Sequence, residues 1–346
     1  MTWVMPSETA AQERVWMAFP TVNTLANDTA AQARAAHLAW ASVANAIVRF
    51  EPVTMLVTSA ALATAHELLS PEVNVIEAYF DDAWIRDMGP TFVLDERGAL
   101  GGVAWIFNGW GQQDWAVWDQ DALVGRTVTG LANAKLVTSS LVNEGGGIQV
   151  DGLGTVLVTE TVQRDPFRNS GVSRAEIERE LARTIGATKV IWLPRGLTRD
   201  SEKFGTRGHV DIVATISTPG VLLVHSQRNP EHPDYIISRD TIALLASTTD
   251  ATGAPWQIIE VPAPETLRDD TGWVDYSYIN HLVINDAVIA CSFDDPADEK
   301  ARAILADAYP GREIVSVDAR AIFARGGGIH CITQQQPRAA TQARDL

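Results

Sequence analysis

The chain has 346 residues, of which 46% are hydrophobic and 20% are charged, and its formal net charge is −16. Nucleic acids bind basic surfaces, so this charge predicts no nucleic-acid partner, whereas a small cationic substrate is compatible with it. The two cysteines, Cys291 and Cys331, form no disulfide framework and are typical of a reducing compartment. Residues 1–20 lack a basic stretch followed by an apolar core, and no apolar run reaches membrane-spanning length. We therefore expect a cytoplasmic protein without a membrane partner.

The first quarter of the chain predicts alternating helices and strands. An alanine-rich helix is expected from about Asp28 to Arg49, with Asp28 as its N-cap. A β-branched strand follows at residues 53–58, then a helix at 59–69 and a strand at 74–77.

The rest of the chain repeats one pattern, in which a polar turn leads into a strand, a tight turn and a second strand. Helices are expected between these units. The polar turns are at 81–90, 143–147, 208–211 and 277–280, and the helices are near 119–131, 173–185, 238–247 and 296–309. The helix at Ser173 carries a capping box with Glu176 and ends before Gly186.

One polar residue occupies the equivalent place in each unit, at separations of 57, 65, 71 and 51 residues. These residues are Asp87, Glu144, His209, Asn280 and Cys331. Such spacing favours an internal repeat arranged around one axis, which would bring all five positions into one pocket. An ordinary α+β domain whose turns happen to be polar would give the same pattern, so both arrangements stay open.

Cys331 follows three consecutive glycines and precedes a short strand. Glycines let the backbone approach a ligand closely, so Gly327 is a candidate for substrate binding. A cysteine at such an edge is a candidate nucleophile, with a buried structural cysteine as the alternative. Cys291 ends an apolar run and is predicted to be buried in a strand.

Several acidic side chains accompany this cysteine. Asp87 and Glu144 lie in constrained turns, and His209 and Asp211 would point to the same side of an extended strand. Each of them alone could be a surface residue. Together they suit a guanidinium, which carboxylates bind through paired hydrogen bonds and whose carbon a thiolate can attack. No nucleotide-binding motif and no coherent metal-ligand spacing is found, so neither nucleotide binding nor a metal is expected.

The motifs resemble those of one known family. They are Trp16–Pro20, Asp82–Pro90, Phe107–Gly111, Glu144–Gly146, Gly208–Asp211 and Gly326–Pro337. In order and over nearly the whole chain they resemble the agmatine deiminase (agmatine iminohydrolase) family of the guanidino-group-modifying, or pentein, superfamily. The resemblance implies one catalytic domain over residues 1–346, folded as a five-bladed pseudosymmetric α/β propeller of repeated ββαβ units. It also implies hydrolysis of agmatine to N-carbamoylputrescine and ammonia, a step of polyamine (putrescine) biosynthesis, without a cofactor; a homo-oligomer stays open.

The resemblance also implies roles for individual residues. Cys331 resembles the nucleophile, His209 the general acid and base, and Asp87 and Asp211 the guanidinium-binding carboxylates. Glu144 resembles the acid that supports His209. For substrate binding we expect Trp84 and Trp110 to wall the substrate chain, with core packing as the alternative, and Asn280 to line the pocket. His330 is expected to pack or to provide hydrogen-bond support.

The sequence departs from the family pattern around these residues. Arg207 replaces an acidic residue before Gly208, Ile212 replaces an asparagine after Asp211, and Gly328 replaces an asparagine in the last glycine turn. One hypothesis is that Arg207 or Arg325 favours a substrate with a carboxylate, such as arginine or a guanidino acid; the alternative is that both lie on the surface. An amidinotransferase, a metal-dependent hydrolase or a non-catalytic binding propeller are the competing functions.

Overall fold

A computed structural model describes residues 2–26, 28–202 and 204–340. The strands are β1 (Trp3–Val4), β2 (Gln12–Ala18), β3 (Val53–Val57), β4 (Asn74–Glu77), β5 (Thr91–Asp95), β6 (Leu100–Ile106), β7 (Lys135–Val142), β8 (Gln149–Val150), β9 (Thr155–Thr159), β10 (Lys189–Leu193), β11 (Ala214–Thr218), β12 (Val221–Ser226), β13 (Gln257–Pro262), β14 (Arg268–Asp269), β15 (Gly272–Trp273), β16 (Leu282–Val283), β17 (Ala287–Ser292), β18 (Glu313–Asp318) and β19 (Thr333–Pro337). The helices are α1 (Ala30–Ile47), α2 (Leu62–Leu68), α3 (Ile85–Met88), α4 (Gly109–Gln112), α5 (Asp121–Leu131), α6 (Glu160–Gln163), α7 (Arg174–Ile185), α8 (Asp234–Ala246), α9 (Asp298–Ala308) and α10 (Arg320–Phe323).

Five sheets of three or four strands share one topology, and β14 and β15 form a separate hairpin. In each of the five, an antiparallel pair is extended by a parallel strand, as in β8–β9–β10 and β11–β12–β13. A helix lies between the two parallel strands along the chain, as α7 does between β9 and β10. Parallel neighbours need such a crossover, so each sheet is a ββαβ unit. The fold is therefore α/β.

The sheet that joins the two ends of the chain positions the candidate cysteine. β19 pairs with β2 antiparallel, with Thr333 opposite Met17, and β2 pairs with β3 in parallel. Cys331 lies just before β19. The pairing therefore holds the C-terminal glycine loop beside the N-terminal segment of the chain.

Helix α1 packs one apolar face into the main hydrophobic core, where it contacts α10, β17 and β18. Its buried residues follow helical spacing, with Ala36, Trp40, Val43 and Ile47 all inaccessible to solvent. The Trp40 ring also meets Trp84 edge-on, with the ring centroids 5.7 Å apart. The residue that walls the candidate cleft is therefore supported from behind by the main hydrophobic core.

Three local predictions were wrong. Helix α1 is capped by Thr29 rather than Asp28, because Thr29 and Gln32 form the reciprocal hydrogen bonds of a capping box. Helix α8 begins at Asp234 rather than Ser238. Residues Val210–Ile212 form a 3₁₀ turn instead of opening a strand, and β11 starts only at Ala214.

Other local predictions were confirmed. Ser173 caps α7 in a capping box with Glu176, and Gly186 ends the helix at a left-handed φ of 77°. Cys291 is buried in β17. None of the helices in the described residues combines the length and apolar character that a bilayer-spanning helix needs.

Candidate active site

Cys331 is the sulfur at the centre of the site, and its side chain is buried with 6% exposure. Its Sγ lies 3.3 Å from Asn280 Nδ2 and 3.6 Å from Asp211 Oδ2. The backbone N–H of Arg86 donates to the Cys331 carbonyl oxygen at 3.1 Å. Residues more than fifty positions apart therefore meet at this thiol, as the repeat spacing predicts.

Gly327 holds the loop against the thiol. A Cβ on Gly327 would lie 3.0 Å from Cys331 Sγ and 2.7 Å from the Trp84 ring. These separations are shorter than side-chain carbons tolerate, so the position requires glycine. Trp84 and Cys331 are thereby kept close together along one wall.

His209 lies between two carboxylates. Its Nε2 is 3.3 Å from Glu144 Oε2, and its Nδ1 is 3.8 Å from Asp87 Oδ1. The backbone N–H of His209 donates to Asp200 Oδ2 at 2.8 Å, which fixes the residue at the start of the 3₁₀ turn. In this turn His209 and Asp211 still face the same site, although the extended strand that was expected to align them is absent.

Asp87 is held by two neutral donors. Trp110 Nε1 donates to Asp87 Oδ2 at 2.8 Å, and the Gly146 N–H donates to Asp87 Oδ1 at 3.1 Å. The Trp110 ring stacks on Trp115 with the centroids 5.4 Å apart. Asp87 thus receives hydrogen bonds without an arginine or lysine to neutralise it, and its charge remains available.

Gly146 marks where three functional groups converge. A Cβ at this position would lie 2.5 Å from His209 Nδ1, 2.9 Å from Asp87 Oδ1 and 3.0 Å from Asp211 Oδ2. Any side chain would therefore occupy the space between the imidazole and both carboxylates. The glycine-rich turn that the sequence places after Glu144 is what leaves this space open.

Arg168 and Glu8, which contact the buried charges of this site, were missed by the sequence analysis, whereas His330 was expected to pack or to provide hydrogen-bond support. Arg168 Nε donates to both oxygens of Glu144, at 2.9 and 3.1 Å, and its Nη2 donates to the Thr206 carbonyl at 2.7 Å. His330 donates from Nδ1 to Asp211 Oδ2 at 2.8 Å, and its Nε2 lies 2.7 Å from Glu8 Oε1. Neither Arg168 nor Glu8 lies in a local sequence pattern that announces such a contact.

Burial and charge set the protonation of these groups. Burial lowers the pKa of His209, but the Asp87 and Glu144 carboxylates outweigh it and raise that pKa to about 9. Burial, only partly offset by His209, raises the pKa of Asp87 to about 6. Burial and the carboxylates of Asp211 and Asp87 raise the pKa of the Cys331 thiol well above its usual range. Cys331 is therefore a thiol until a cation enters the site.

Two further carboxylates stay ionised. Burial acts to raise the pKa of Glu144, but Arg168 and His209 lower it below its ordinary value. Burial likewise opposes the ionisation of Asp211, and the hydrogen bond from His330 reverses that effect and lowers its pKa. The site thus carries fixed negative charge on two residues at neutral pH.

Three buried polar atoms of the site have no hydrogen-bond partner in the described part of the chain: Asp211 Oδ1, His209 Nδ1 and Arg86 Nη2. Unpaired buried groups are costly and are rare away from functional sites. The carboxylate oxygen and the imidazole nitrogen belong to the groups that converge at Gly146. The unpaired Asp211 oxygen is therefore an acceptor available to the N–H groups of a cation.

A narrow cleft leads to the thiol. Its lining residues are Trp84, Asp87, Trp110, Trp115, Phe204, Thr206, Arg325, Gly326 and Cys331. Four of these, Trp84, Trp115, Phe204 and Arg325, also line an adjoining outer cleft that contains Asp28 and Asp82. Aromatic rings thus separate an inner, charged end from an outer mouth.

The two arginines of the specificity hypothesis lie differently. Arg325 is 11% exposed, lines both clefts and forms an ion pair with Asp28, so it is not a surface residue. Arg207 adopts a left-handed φ of 78° and its Nε lies 3.8 Å from Asp165 Oδ2. It is not among the residues that line either cleft. The other residues singled out from the sequence, including Asn280, meet around Cys331.

Among the described residues, no three His, Cys, Asp or Glu side chains converge where they could hold a metal ion. The acidic groups instead face the thiol and two imidazoles. The site therefore combines a buried thiol, two imidazoles and several carboxylates that can accept hydrogen bonds from a cation.

Comparison with known proteins identifies the family of this chain. A model of the Porphyromonas-type peptidyl-arginine deiminase family matches residues 4–337. A Streptomyces coelicolor protein provisionally named as an agmatine deiminase is 54% identical, and the alignment covers 98% of this chain and 100% of that protein. The agmatine deiminase of Pseudomonas fluorescens is 38% identical over 96% of this chain and 95% of its own length.

A solved structure agrees with these relatives. The agmatine deiminase of Enterococcus faecalis superposes with a TM-score of 0.90 at 32% identity, covering 98% of this chain and 97% of that one. The chain belongs to the Porphyromonas-type peptidyl-arginine deiminase family, and the resemblance to agmatine deiminases inferred from its motifs is confirmed.

Proposed function

We propose that this protein is an agmatine deiminase, which hydrolyses the guanidino group of agmatine to give N-carbamoylputrescine and ammonia. One observation carries the proposal: Cys331 Sγ lies 3.6 Å from an Asp211 carboxylate that also faces His209 and Asp87 across Gly146. A guanidinium bound by those two carboxylates has its carbon within reach of the sulfur. The relatives named above support agmatine as the guanidine.

The substrate cation is held by the carboxylates that face the space at Gly146. Asp211 Oδ1 lacks a partner, and Asp87 receives hydrogen bonds only from the neutral Trp110 and Gly146 groups. Both are free to accept guanidinium N–H bonds, which are strong because both partners are charged. Asn280 holds Cys331 Sγ, while Trp84, Trp110 and the bare backbone of Gly327 confine the alkyl chain.

Binding of the cation activates the nucleophile. The Cys331 thiol has a raised pKa in the unliganded site, and a guanidinium between Asp87 and Asp211 neutralises the charges that raise it. The thiol proton leaves to solvent and the thiolate attacks the guanidinium carbon. Substrate binding and thiolate formation are therefore coupled, which spares the free enzyme a reactive thiolate.

His209 moves the protons of both half-reactions. As an imidazolium it gives its proton to one nitrogen of the tetrahedral adduct, the C–N bond breaks, and ammonia leaves a Cys331 thiouronium. Neutral His209 then takes a proton from water, whose oxygen bonds to the same carbon. The C–S bond breaks, the ureido product leaves, and the proton released from the new hydroxyl is carried away as ammonium. Glu144, held by Arg168, orients the imidazole for both steps.

The charges at the mouth favour agmatine over a guanidino acid. Arg325 is neutralised by Asp28, and Arg207 lies beside Asp165 outside the cleft. The outer cleft also contains Asp82. An ammonium at the far end of the substrate therefore meets an excess of acidic side chains, whereas a carboxylate meets no unpaired arginine among the described lining residues.

The proposal extends to the architecture. Five ββαβ sheets are consistent with five blades around one pseudo-fivefold axis, with the thiol at their common opening, and with one catalytic domain over residues 1–346. The chemistry above uses only side chains of this chain and needs no cofactor. A cytoplasmic location, which suits a catalytic thiol, and a homo-oligomer stay predictions.

The test is a screen for ammonia release from agmatine, arginine and guanidinoalkanoates, with Cys331→Ser as the control. We expect agmatine to be preferred and a ureido product to form without any amine acceptor. A requirement for an amine would indicate an amidinotransferase. Inhibition by a chelator but not by iodoacetamide would indicate a metal-dependent hydrolase, and unchanged function in Cys331→Ala would indicate a binding propeller.

A further inference from the structure

A buried chain of alternating charges runs from the N-terminal segment to the nucleophile. Glu8 Oε1 is 2.7 Å from His330 Nε2, His330 Nδ1 is 2.8 Å from Asp211 Oδ2, and that same oxygen is 3.6 Å from Cys331 Sγ. All four side chains are at least 94% buried. The mechanism described above uses only Asp211 and Cys331 of this chain.

An imidazole with a carboxylate on each ring nitrogen is held as an imidazolium, because both nitrogens must donate. Besides Glu8 and Asp211, the charged or titratable groups that act on His330 are Arg86 and His281. Arg86 Nε donates to the His330 carbonyl at 3.1 Å, which adds a second positive group on the same side. Glu8 is thus the carboxylate that compensates the added positive charge.

We infer that Glu8 and His330 are positioning residues: Glu8 keeps His330 protonated, and His330 fixes Asp211 Oδ2 so that Oδ1 faces the substrate while its charge is partly balanced beside Cys331. The inference rests on the proposed function for its kinetic test. The unpaired Asp211 Oδ1 fits this arrangement, because one oxygen is occupied by His330 and the other is left for a guanidinium N–H.

Glu8→Gln tests the inference, because glutamine keeps the shape and removes the charge. Burial and Arg86 lower the pKa of His330, while Glu8 and Asp211 raise it, so removing the Glu8 charge lowers that pKa. Above the lowered pKa, His330 is neutral and Asp211 opposes the thiolate in full. We expect kcat to fall about tenfold more at pH 8 than at pH 6, relative to the unchanged protein, without a rise in KM.

The matched control is Asp295→Asn. Asp295 is 8% exposed, like Glu8 at 5%, its lowered pKa keeps it ionised over this pH range, and it accepts hydrogen bonds from the backbone of Glu265 and Thr266 rather than from residues of the site. Its activity relative to the unchanged protein should not vary with pH. A Glu8→Gln variant whose kcat and KM worsen equally at every pH would overturn the inference, because that is the result of a purely structural role.

A second measurement needs neither Glu8→Gln nor a substrate. In protein labelled with ¹⁵N-histidine, one of seven histidine signal sets should disappear in His330→Gln and so be assigned. In the unchanged protein that signal should show two protonated ring nitrogens up to pH 8. A neutral tautomer at pH 8 would refute the inference even if agmatine were the wrong substrate, and an imidazolium in an enzyme inactive on agmatine would leave it standing.

Discussion

Two groups of buried carboxylates in this protein differ in what their oxygens contact. In the first group, Asp82 Oδ1 accepts from the Thr24 hydroxyl at 2.6 Å and from the Ala83 N–H at 2.8 Å. Asp121 accepts from the backbone N–H groups of Asp81 and Asp82. These hydrogen bonds tie the loop before α3 to the start of α5.

The second group lies in the candidate active site, where its hydrogen-bonding partners are charged and some polar atoms lack a partner. Asp211, Glu144 and Asp87 face His330, Arg168 and His209, and Asp211 Oδ1 and His209 Nδ1 have no partner in the described residues. Neutral, complete hydrogen bonding indicates a structural carboxylate, whereas charge partners combined with unpaired atoms indicate a place for substrate. The predictions below test this distinction.

The largest effect is expected from removing the sulfur. Cys331→Ser replaces the proposed nucleophile next to the second group, so agmatine turnover should fall by about 10⁴-fold or more. Steady-state ammonia release measures it. Cys291→Ser, at the other buried cysteine, should keep most of the activity; comparable losses in both variants would contradict the assignment.

Gly146→Ala should have the next largest effect. The added Cβ would lie 2.5 Å from His209 Nδ1 and would separate the imidazole from both carboxylates, so kcat/KM should fall by about 100-fold or more. Gly130→Ala is the matched control, since a Cβ there meets nothing within 4 Å in helix α5. If Gly146→Ala retained full activity, the groups would not converge on the substrate.

The first group should affect stability more than the chemical step, although Asp82 also lines the outer cleft. Burial raises the folded-state pKa of Asp82 to about 6, so the stability that this carboxyl contributes is present below its unfolded pKa and is lost as pH rises through 6. Asp82→Asn removes this loss of stability, because asparagine does not ionise. The variant should gain about 1–3 kcal/mol relative to the unchanged protein between pH 4 and pH 7, measured by urea unfolding. An equal difference at both pH values would contradict the raised pKa.

The smallest effect is expected at Asp28, which lines the outer cleft together with Asp82. Asp28→Asn leaves Arg325 without its ion pair, so 4-guanidinobutyrate should improve against agmatine by about two- to fivefold in relative kcat/KM. The control is Glu67→Gln, which breaks an exposed pair with Arg34 and lines neither cleft. An unchanged ratio in Asp28→Asn would show that Arg325 does not sense the far end of the substrate.

The sequence predicted the elements of the second group better than those of the first. The repeat spacing singled out five polar residues, each in a glycine-rich or polar turn before a strand. They are Asp87, Glu144, His209, Asn280 and Cys331. The strand bounds Asn74–Glu77 also agree with the structure. The periodicity of hydrophobic residues and the residue types of turns are local signals, so a single sequence is enough to predict strands and turns from them.

The partners of those residues were not predictable in the same way. Glu8 meets His330 across 322 positions, and Arg168 reaches Glu144 from a loop that carries no motif. Asp28 and Thr29 are both residue types that favour the N-cap position. Thr29 is the N-cap because it forms a capping box with Gln32. Such contacts are fixed by tertiary packing, which leaves no periodic trace in the sequence.

The central claim is that Cys331 sulfur bonds to the guanidinium carbon of the substrate. Acid quenching during turnover of agmatine, followed by mass spectrometry of the intact chain and its peptides, tests it directly. The account predicts an adduct of the mass of agmatine less ammonia on the Cys331 peptide, absent in Cys331→Ser. Turnover at full rate in Cys331→Ser, or an adduct on Cys291 instead, would contradict it.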